Sequence, residues 1–205
     1  DDFQVHLGQS AFFRGIVEEI PMSEAEAIGI KERLDRRDRE ALDRYLKELD
    51  LPDERAKLIR ACLGLCGGEE VLDRADALVD TRTSKDAIAN LAEIHRALVD
   101  YGLNDRVVID LAEVRGLGYY TGMMIEGFSR SLSVPILEGG RYDNLVERFG
   151  DPCPAVGCAL DVPRIGKILK GKGEPLSLTA DALVRYRAPL RAQAYALAAT
   201  LRAEG

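Results

Sequence analysis

Histidine is scarce in this sequence, with only His6 and His95 among 205 residues. They lie far apart and neither neighbours an obvious nucleophile, so no catalytic triad is expected. Of the two, His95 is expected on a partly exposed helix face and His6 in sheet packing. The four cysteines, Cys62, Cys66, Cys153 and Cys158, form one C-x3-C and one C-x4-C pair. Without a nearby His to complete a ligand set, neither pair reads as a zinc site, and ordinary reduced thiols are expected. Long apolar runs are also missing: no stretch approaches the roughly twenty residues that span a bilayer, which argues against membrane insertion. The opening Asp1-Asp2-Phe3-Gln4-Val5-His6-Leu7 lacks the basic and apolar segments of a secretory signal, so the reading is cytoplasmic. Nor is there a surplus of positive charge. With 28 Lys and Arg against 35 Asp and Glu, the formal charge of −7 repels phosphate backbones on average. Nucleic acid is therefore not an expected partner unless a local basic groove exists.

What remains is ordinary for a globular chain: 46% apolar and 31% charged residues, in a length that can bury a substantial core. Phe3-Gln4-Val5-His6-Leu7 alternates like a half-buried strand and runs into helical spacing over Ser10 to Val17. Nothing in the sequence covers that strand's edge from upstream, so further sequence before it is expected in the natural protein. From Met22 to Tyr101 the pattern is helical. Ser23-Glu24-Ala25-Glu26 is a capping box. Leu42, Tyr45, Leu46 and Leu49 share a face, Pro52 opens a helix carrying Ile59 and Leu63, and Gly67-Gly68 breaks it. Val71, Leu72, Ala75, Leu78 and Val79 form another stripe. Thr83 or Ser84 is expected to cap a longer helix that stops at Gly102. The period then changes: 107 to 111, 120 to 128, 134 to 137 and 155 to 160 read as strands of an antiparallel sheet. A helix over 162 to 169, a linker at 171 to 179, a strand over 182 to 186 and a helix from 189 to 203 complete the chain.

Two glycine-punctuated stretches could carry chemistry. In Arg115-Gly116-Leu117-Gly118-Tyr119-Tyr120-Thr121-Gly122 and in Glu138-Gly139-Gly140-Arg141-Tyr142-Asp143, glycines permit sharp turns beside Arg, Tyr and Asp. Together these offer cationic, aromatic and acidic groups to one pocket. Such a set suits an amino acid, since Arg takes a carboxylate through two parallel N–H bonds, while Tyr hydroxyls and a carboxylate suit an ammonium or imidazole. On chemistry alone, tight turns, half-buried strand tyrosines and a surface Arg115–Glu113 pair explain the same residues. Neither stretch is a phosphate loop, because the third glycine of the dinucleotide fingerprint and the Gly-Lys-Ser/Thr are both missing. The acids Glu24, Glu26, Glu32, Asp35 and Asp38 read as a solvated helix face.

At these stretches the sequence resembles the histidyl-tRNA synthetase family, whose signatures read approximately Arg-Gly-Leu-Asp-Tyr-Tyr-Thr and Gly-Gly-Arg-Tyr-Asp. A third match, Pro154-Ala155-Val156-Gly157-Cys158-Ala159-Leu160-Asp161-Val162-Pro163-Arg164, resembles motif 3 of class II synthetases. The resemblance implies an α+β fold: a class II synthetase-like antiparallel sheet with a helical insertion at about 22 to 101, spanning residues 1 to 170, then the start of a C-terminal α/β domain from 180 to 205. It implies that Arg115 reaches a histidine carboxylate, that Tyr119 and Tyr120 line the side-chain pocket with Arg141 and Tyr142 nearby, and that Arg164 is the counterpart of the nucleotide arginine.

Departures from the signatures separate the family's members. Gly118 replaces the Asp of the first signature, Leu7-Gly8-Gln9-Ser10 stands where synthetases carry an Asn-His-Arg type of sequence, and Asp161 and Pro163 replace the Gly and Glu expected before the motif 3 arginine. These wordings are closer to the family's regulatory paralogues. By that resemblance the expected role is non-catalytic: binding and activating the short-form ATP phosphoribosyltransferase catalytic subunit and sensing histidine in the first step of histidine biosynthesis, as a homodimer within a hetero-oligomer and without a cofactor. The alternatives are a fragment of a true histidyl-tRNA synthetase and a scaffold that binds neither ligand nor partner.

Overall fold

The structure is a computed structural model and describes residues 3–18, 20–112, 119–172 and 182–204. Strand β1 (Phe3–Gln9) passes directly into helix α1 (Ser10–Val17), where the period of the apolar residues changes from two to helical. The other strands are β2 (Cys66–Gly67), β3 (Val107–Asp110), β4 (Met123–Ser129), β5 (Leu137–Arg141) and β6 (Val156–Leu160). They form one six-stranded sheet in the order β2-β3-β1-β4-β5-β6. The pairs β1–β4, β4–β5, β5–β6 and β2–β3 are antiparallel, and short connections link β4 to β5 and β5 to β6. The β1–β3 pair is parallel, which departs from a wholly antiparallel sheet. Parallel neighbours need a long crossover, and here the entire helical region supplies it.

That region comprises α2 (Glu24–Asp35), α3 (Arg39–Glu48), α4 (Asp53–Cys62), α5 (Glu70–Asp76) and α6 (Arg82–Asp100). Its apolar faces are not a separate core. Ile30, Leu34, Leu42, Leu46, Ile59, Val71 and Leu91 join one buried cluster with Leu7, Phe12, Phe13, Ile16 and Ile109, so helices and sheet share an interior. Each such fully buried side chain contributes about 1.5–3 kcal/mol. The capping box at the start of α2 forms as its sequence predicts: the Ser23 hydroxyl accepts from the Glu26 amide at 3.3 Å, and the Glu26 carboxylate accepts from the Ser23 amide at 2.6 Å. Gly102 adopts φ +72, a left-handed stop that glycine reaches without the cost a Cβ imposes.

Elsewhere the structure corrects the sequence reading. Residues at Gly67 do not merely break a helix, because Cys66 and Gly67 add a short edge strand opposite Asp110 and Ile109. The cap of α6 is Thr81, whose Oγ1 accepts from the Ser84 amide, while Ser84 is fully buried and donates its hydroxyl to the Phe12 carbonyl. His95 is buried rather than half-exposed, on the α6 face that packs into the core. The third strand of the 107–160 region lies over Leu137–Arg141, not 134 to 137, because Pro135 has no amide to donate and the ladder begins with the Ile136 amide on the Gly127 carbonyl. Consequently Gly139-Gly140 is strand, not turn. Helix α7 (Val162–Lys172) runs past the expected linker start, and the remaining linker residues through 181 lie outside the described residues. No strand forms over 182 to 186, since no neighbouring strand offers it a ladder; a 3-10 turn (Ala188–Leu190) then leads into α8 (Arg191–Glu204). This tail leans on the end of α6 through Tyr101–Tyr195 ring contact at 3.9 Å and an Arg191–Asp100 ion pair at 2.7 Å.

The helical region and the sheet are joined at a buried charge. Arg37, held at φ +51 in the turn between α2 and α3, donates to the Asp110 carboxylate at the end of β3. Asp110 is only 2% exposed, its other oxygen accepts from the Ala112 amide at 3.1 Å, and His6 Nδ1 from β1 stands 3.6 Å away. Burial works to raise the Asp110 carboxyl, but the His6 imidazole and the Arg37 guanidinium outweigh it and hold the group below the usual carboxylate range. A depressed folded value contributes stability that is present above the unfolded value near 3.9 and is lost as pH falls through the folded one. Asp110→Asn is expected to lower stability at neutral pH by about 2 kcal/mol, because it leaves Arg37 facing a neutral group, and to flatten acid unfolding below about pH 4. Urea titrations at pH 7 and pH 3.5 measure both effects; equal losses at the two pH values would contradict the assignment. Ser23→Ala, which removes only the cap of α2, is expected to lower stability by about 1 kcal/mol and the melting temperature by about 2–4 °C in a calorimetric scan.

Candidate functional site

Direct cross-strand partners share a face, so the register sorts the sheet residues. Leu7, Ile109, Ile125, Gly139 and Cys158 lie on one face, which packs on α1 and α6; Gln9, on the same face, donates to Asn90 of α6 at 3.0 Å. His6, Glu126, Glu138 and Ala159 line up across the opposite face, with Met124, Gly140 and Gly157 in the next row. The second face carries the chemistry.

Three tyrosines gather there. The rings of Tyr119 and Tyr120 are 4.7 Å apart, those of Tyr119 and Tyr142 meet edge-on at 5.6 Å, and those of Tyr120 and Tyr142 lie 6.4 Å apart. The glycines make room for them. A Cβ at Gly140 would stand 2.8 Å from Tyr120 Cδ1 and 2.6 Å from the Met123 carbonyl, and one at Gly157 would stand 2.6 Å from the Tyr142 hydroxyl. Glycine is therefore required at these points by space rather than by backbone angle. Burial first, then the Tyr119 hydroxyl and the charge of Glu138, push the Tyr120 hydroxyl up to about 12. It stays protonated, able to donate one hydrogen bond and accept others.

The turn bearing these tyrosines is braced from two sides. The Thr121 amide donates to the Arg141 carbonyl at 2.8 Å, and the Asp143 amide donates to the Thr121 hydroxyl at 3.0 Å. Arg141 Nε meets both oxygens of Asp143 at 2.9 Å, and donation from Arg141 and from the Thr121 hydroxyl holds the Asp143 carboxyl below the usual range. From the other side, the Ser10 hydroxyl at the start of α1 donates toward the Tyr120 and Gly122 carbonyls at 3.2 and 3.0 Å. Alternation puts Arg141 on the face away from the tyrosines, so its contact with their turn runs through Asp143 and Thr121. Of the expected site residues, Tyr119, Tyr120 and Tyr142 are brought together, Arg141 buttresses them, and Arg115 lies outside the described residues.

Arg164 stands on the first turn of α7. Asp161 caps that helix by accepting from the Arg164 amide at 3.0 Å and pairs with Arg164 Nε at 2.9 Å, while Arg164 Nη1 donates to the Pro135 carbonyl. Two of the three guanidinium nitrogens, Nε and Nη1, are thus engaged within the chain. Beside it opens a groove of about 530 Å³ between the start of β5, the end of β6 and α7, lined by Pro135, Leu137, Glu138, Leu160, Asp161 and Arg164 among others. Sequence reasoning gave Ser10 no place in the site, and it named Glu138 only as the start of its glycine stretch, without a role. Ser10 carries no local signal because its partners lie more than a hundred positions away, whereas alternation along β5 would have placed Glu138 beside Gly140 had that segment been recognised as strand. Among the described residues no group of three or more His, Cys, Asp or Glu could hold a metal ion, and no helix is long and apolar enough to cross a membrane. The four cysteines are free, and burial pushes the Cys62 thiol up to about 12.

These observations meet the known proteins as follows. A family model described as histidyl-tRNA synthetase matches residues 1–165. The protein named ATP phosphoribosyltransferase regulatory subunit from Thermoanaerobacter sp. (strain X514) is 34% identical over 206 residues, an alignment covering 100% of this chain and 54% of that protein. The protein of the same name from Acetivibrio thermocellus is 36% identical, with 100% of this chain and 49% of that protein covered. The chain therefore spans about half the length of the curated relatives it matches. A crystal structure of an ATP phosphoribosyltransferase regulatory subunit/histidyl-tRNA synthetase from Bacillus halodurans C superposes with a TM-score of 0.76 at 25% identity, covering 100% of this chain and 52% of that one. With its ordered motifs, its sheet and its tyrosine-lined face, this chain belongs to the histidyl-tRNA synthetase family, and it is similar from end to end to members named as regulatory subunits of ATP phosphoribosyltransferase.

Proposed function

We propose that this chain is part of a non-catalytic regulatory subunit that binds and activates the short-form ATP phosphoribosyltransferase catalytic subunit and senses histidine. The observation that carries this reading is the similarity, over the whole chain and at 34% and 36% identity, to proteins bearing that name. The geometry around Arg164 supports it. A guanidinium already drawn to Asp161 and the Pro135 carbonyl has less to offer a triphosphate, and the Asp161 carboxylate beside it repels one. The second reading, a fragment of a histidine–tRNA ligase, draws on the matching family model and on the retained Gly139-Gly140-Arg141-Tyr142-Asp143.

In the proposed role the tyrosine face is a receptor rather than a reaction centre. Tyr119 and Tyr120 flank the histidine side chain, Tyr142 closes the wall, Arg115 takes the carboxylate, and Arg141 acts through Asp143 and Thr121 to keep the turn in place. Residues from about 180 open a C-terminal unit. Histidine that favours one arrangement of the assembly over another shifts the partner's activity by its difference in affinity for the two. The subunit works in the cytoplasm, as a homodimer within a hetero-oligomer.

Calorimetric titration of the full-length protein with histidine, with and without ATP, beside a pull-down of the short catalytic subunit, tests the reading. Histidine binding indifferent to ATP together with capture of the catalytic subunit is expected; ATP-coupled binding with pyrophosphate exchange and no capture would replace it with the ligase. Gly140→Ala, whose new methyl meets both the Tyr120 ring and the Met123 carbonyl, is expected to weaken histidine binding about tenfold or more, a cost of about 1.4 kcal/mol, and to lower the melting temperature, while Tyr120→Ala weakens histidine binding with a smaller loss of thermal stability.

A further inference from the structure

The charges of the tyrosine face are uneven. Among the described residues, arginines on it and at its margins are engaged in pairs: Arg37 with Asp110, Arg141 with Asp143 and Arg164 with Asp161. Glu138 is different. It sits in the middle of β5 with its side chain exposed, opposite Glu126 on one neighbouring strand and Ala159 on the other, and no hydrogen bond or ion pair holds its carboxylate among the described residues. Two residues further along the same face is Gly140, over which the Tyr120 ring lies. The same carboxylate lines the 530 Å³ groove toward α7. Its charge is felt at the Tyr120 hydroxyl, where it is one cause of the upward shift.

We propose that Glu138 is a specificity residue of the tyrosine pocket, selecting a ligand whose ring is cationic, so that histidine is held there as its imidazolium form. The inference rests on the histidine-sensing reading above. Among the described residues, the groups facing Glu138 are Tyr119, Tyr120 and Tyr142 above the strand, Glu126 from β4 with His6 of β1 beyond it in the same row, and Asp161 with Arg164 across the groove. Arg164 is already matched by Asp161 and the tyrosines are neutral, so the Glu138 carboxylate gives this point a negative charge. An opposite charge at close range favours a ring's protonated form by one unit or more. An imidazole with an ordinary value near 6.5 is therefore bound more tightly as pH falls through that range. The tyrosines add ring-face attraction for the same cation.

The experiment is titration of the full-length protein with L-histidine at pH 8 and pH 6, and with thienylalanine, an α-amino acid of similar shape whose ring takes no proton. The unaltered protein is expected to bind histidine at least about threefold more tightly at pH 6, with thienylalanine unchanged. Glu138→Gln is expected to abolish that difference while leaving thienylalanine binding and the thermal melt unchanged, and Glu138→Asp is expected to keep part of it. A pH difference for histidine that survives Glu138→Gln overturns the assignment of Glu138 and leaves histidine sensing standing. Failure of the unaltered protein to bind histidine at either pH overturns the sensing reading, and this inference with it.

Discussion

The contact between Arg37 and Asp110 is the constraint on which the arrangement of this molecule depends. A carboxylate taken almost wholly out of water at the end of β3 is tolerable only where a cation and hydrogen-bond donors meet it, and those come from three separate parts of the chain: the turn after α2, the strand β1 and the backbone at Ala112. Satisfying one buried charge therefore fixes where the helical region sits against the sheet. The shared apolar cluster supplies most of the free energy of that union, but burial is non-directional and leaves position open. The ion pair removes that freedom.

The same logic of internally matched charge runs across the face where the site lies. Arg141 and Arg164 stand in motifs that suggest ligand contacts, yet each is folded back on an aspartate two or three positions away. One consequence is mechanical, since the Arg141–Asp143–Thr121 brace and the Ser10 hydroxyl set the turn that presents Tyr119 and Tyr120. The other is electrostatic. With Arg37 and Arg164 each matched by an aspartate, the described part of the face offers aromatic walls and carboxylates, a surface that suits a small cation better than a polyphosphate.

Much of this was legible in the residues. The capping box at Ser23, the stop at Gly102, the passage from β1 into α1 and the strand at the end of the 107–160 region all follow from local rules, and the structure keeps them. What sequence could not give depended on distant partners. The two-residue strand at Cys66 exists only because β3 accepts it, the 182–186 segment has strand-like residues but no ladder to join, and His95 looks half-polar until the sheet closes over its helix. The site shows the same division. The tyrosines and glycines were visible as a motif, whereas their common face required the register of β5, displaced from expectation by the missing amide of Pro135.

The parallel pairing of β1 with β3 bears on how the molecule is made. Val5 stands beside Val107, so these two adjacent strands are separated by about a hundred positions of mostly helical chain. Closing so long a loop loses entropy before any ladder bond repays it, and chains dominated by such distant contacts fold slowly. β1 and β3 can pair only once α2 to α6, which lie between them in the sequence, have been made. The helical region therefore holds together two strands that the sequence keeps far apart, and its packing and the β1–β3 ladder stand or fall together.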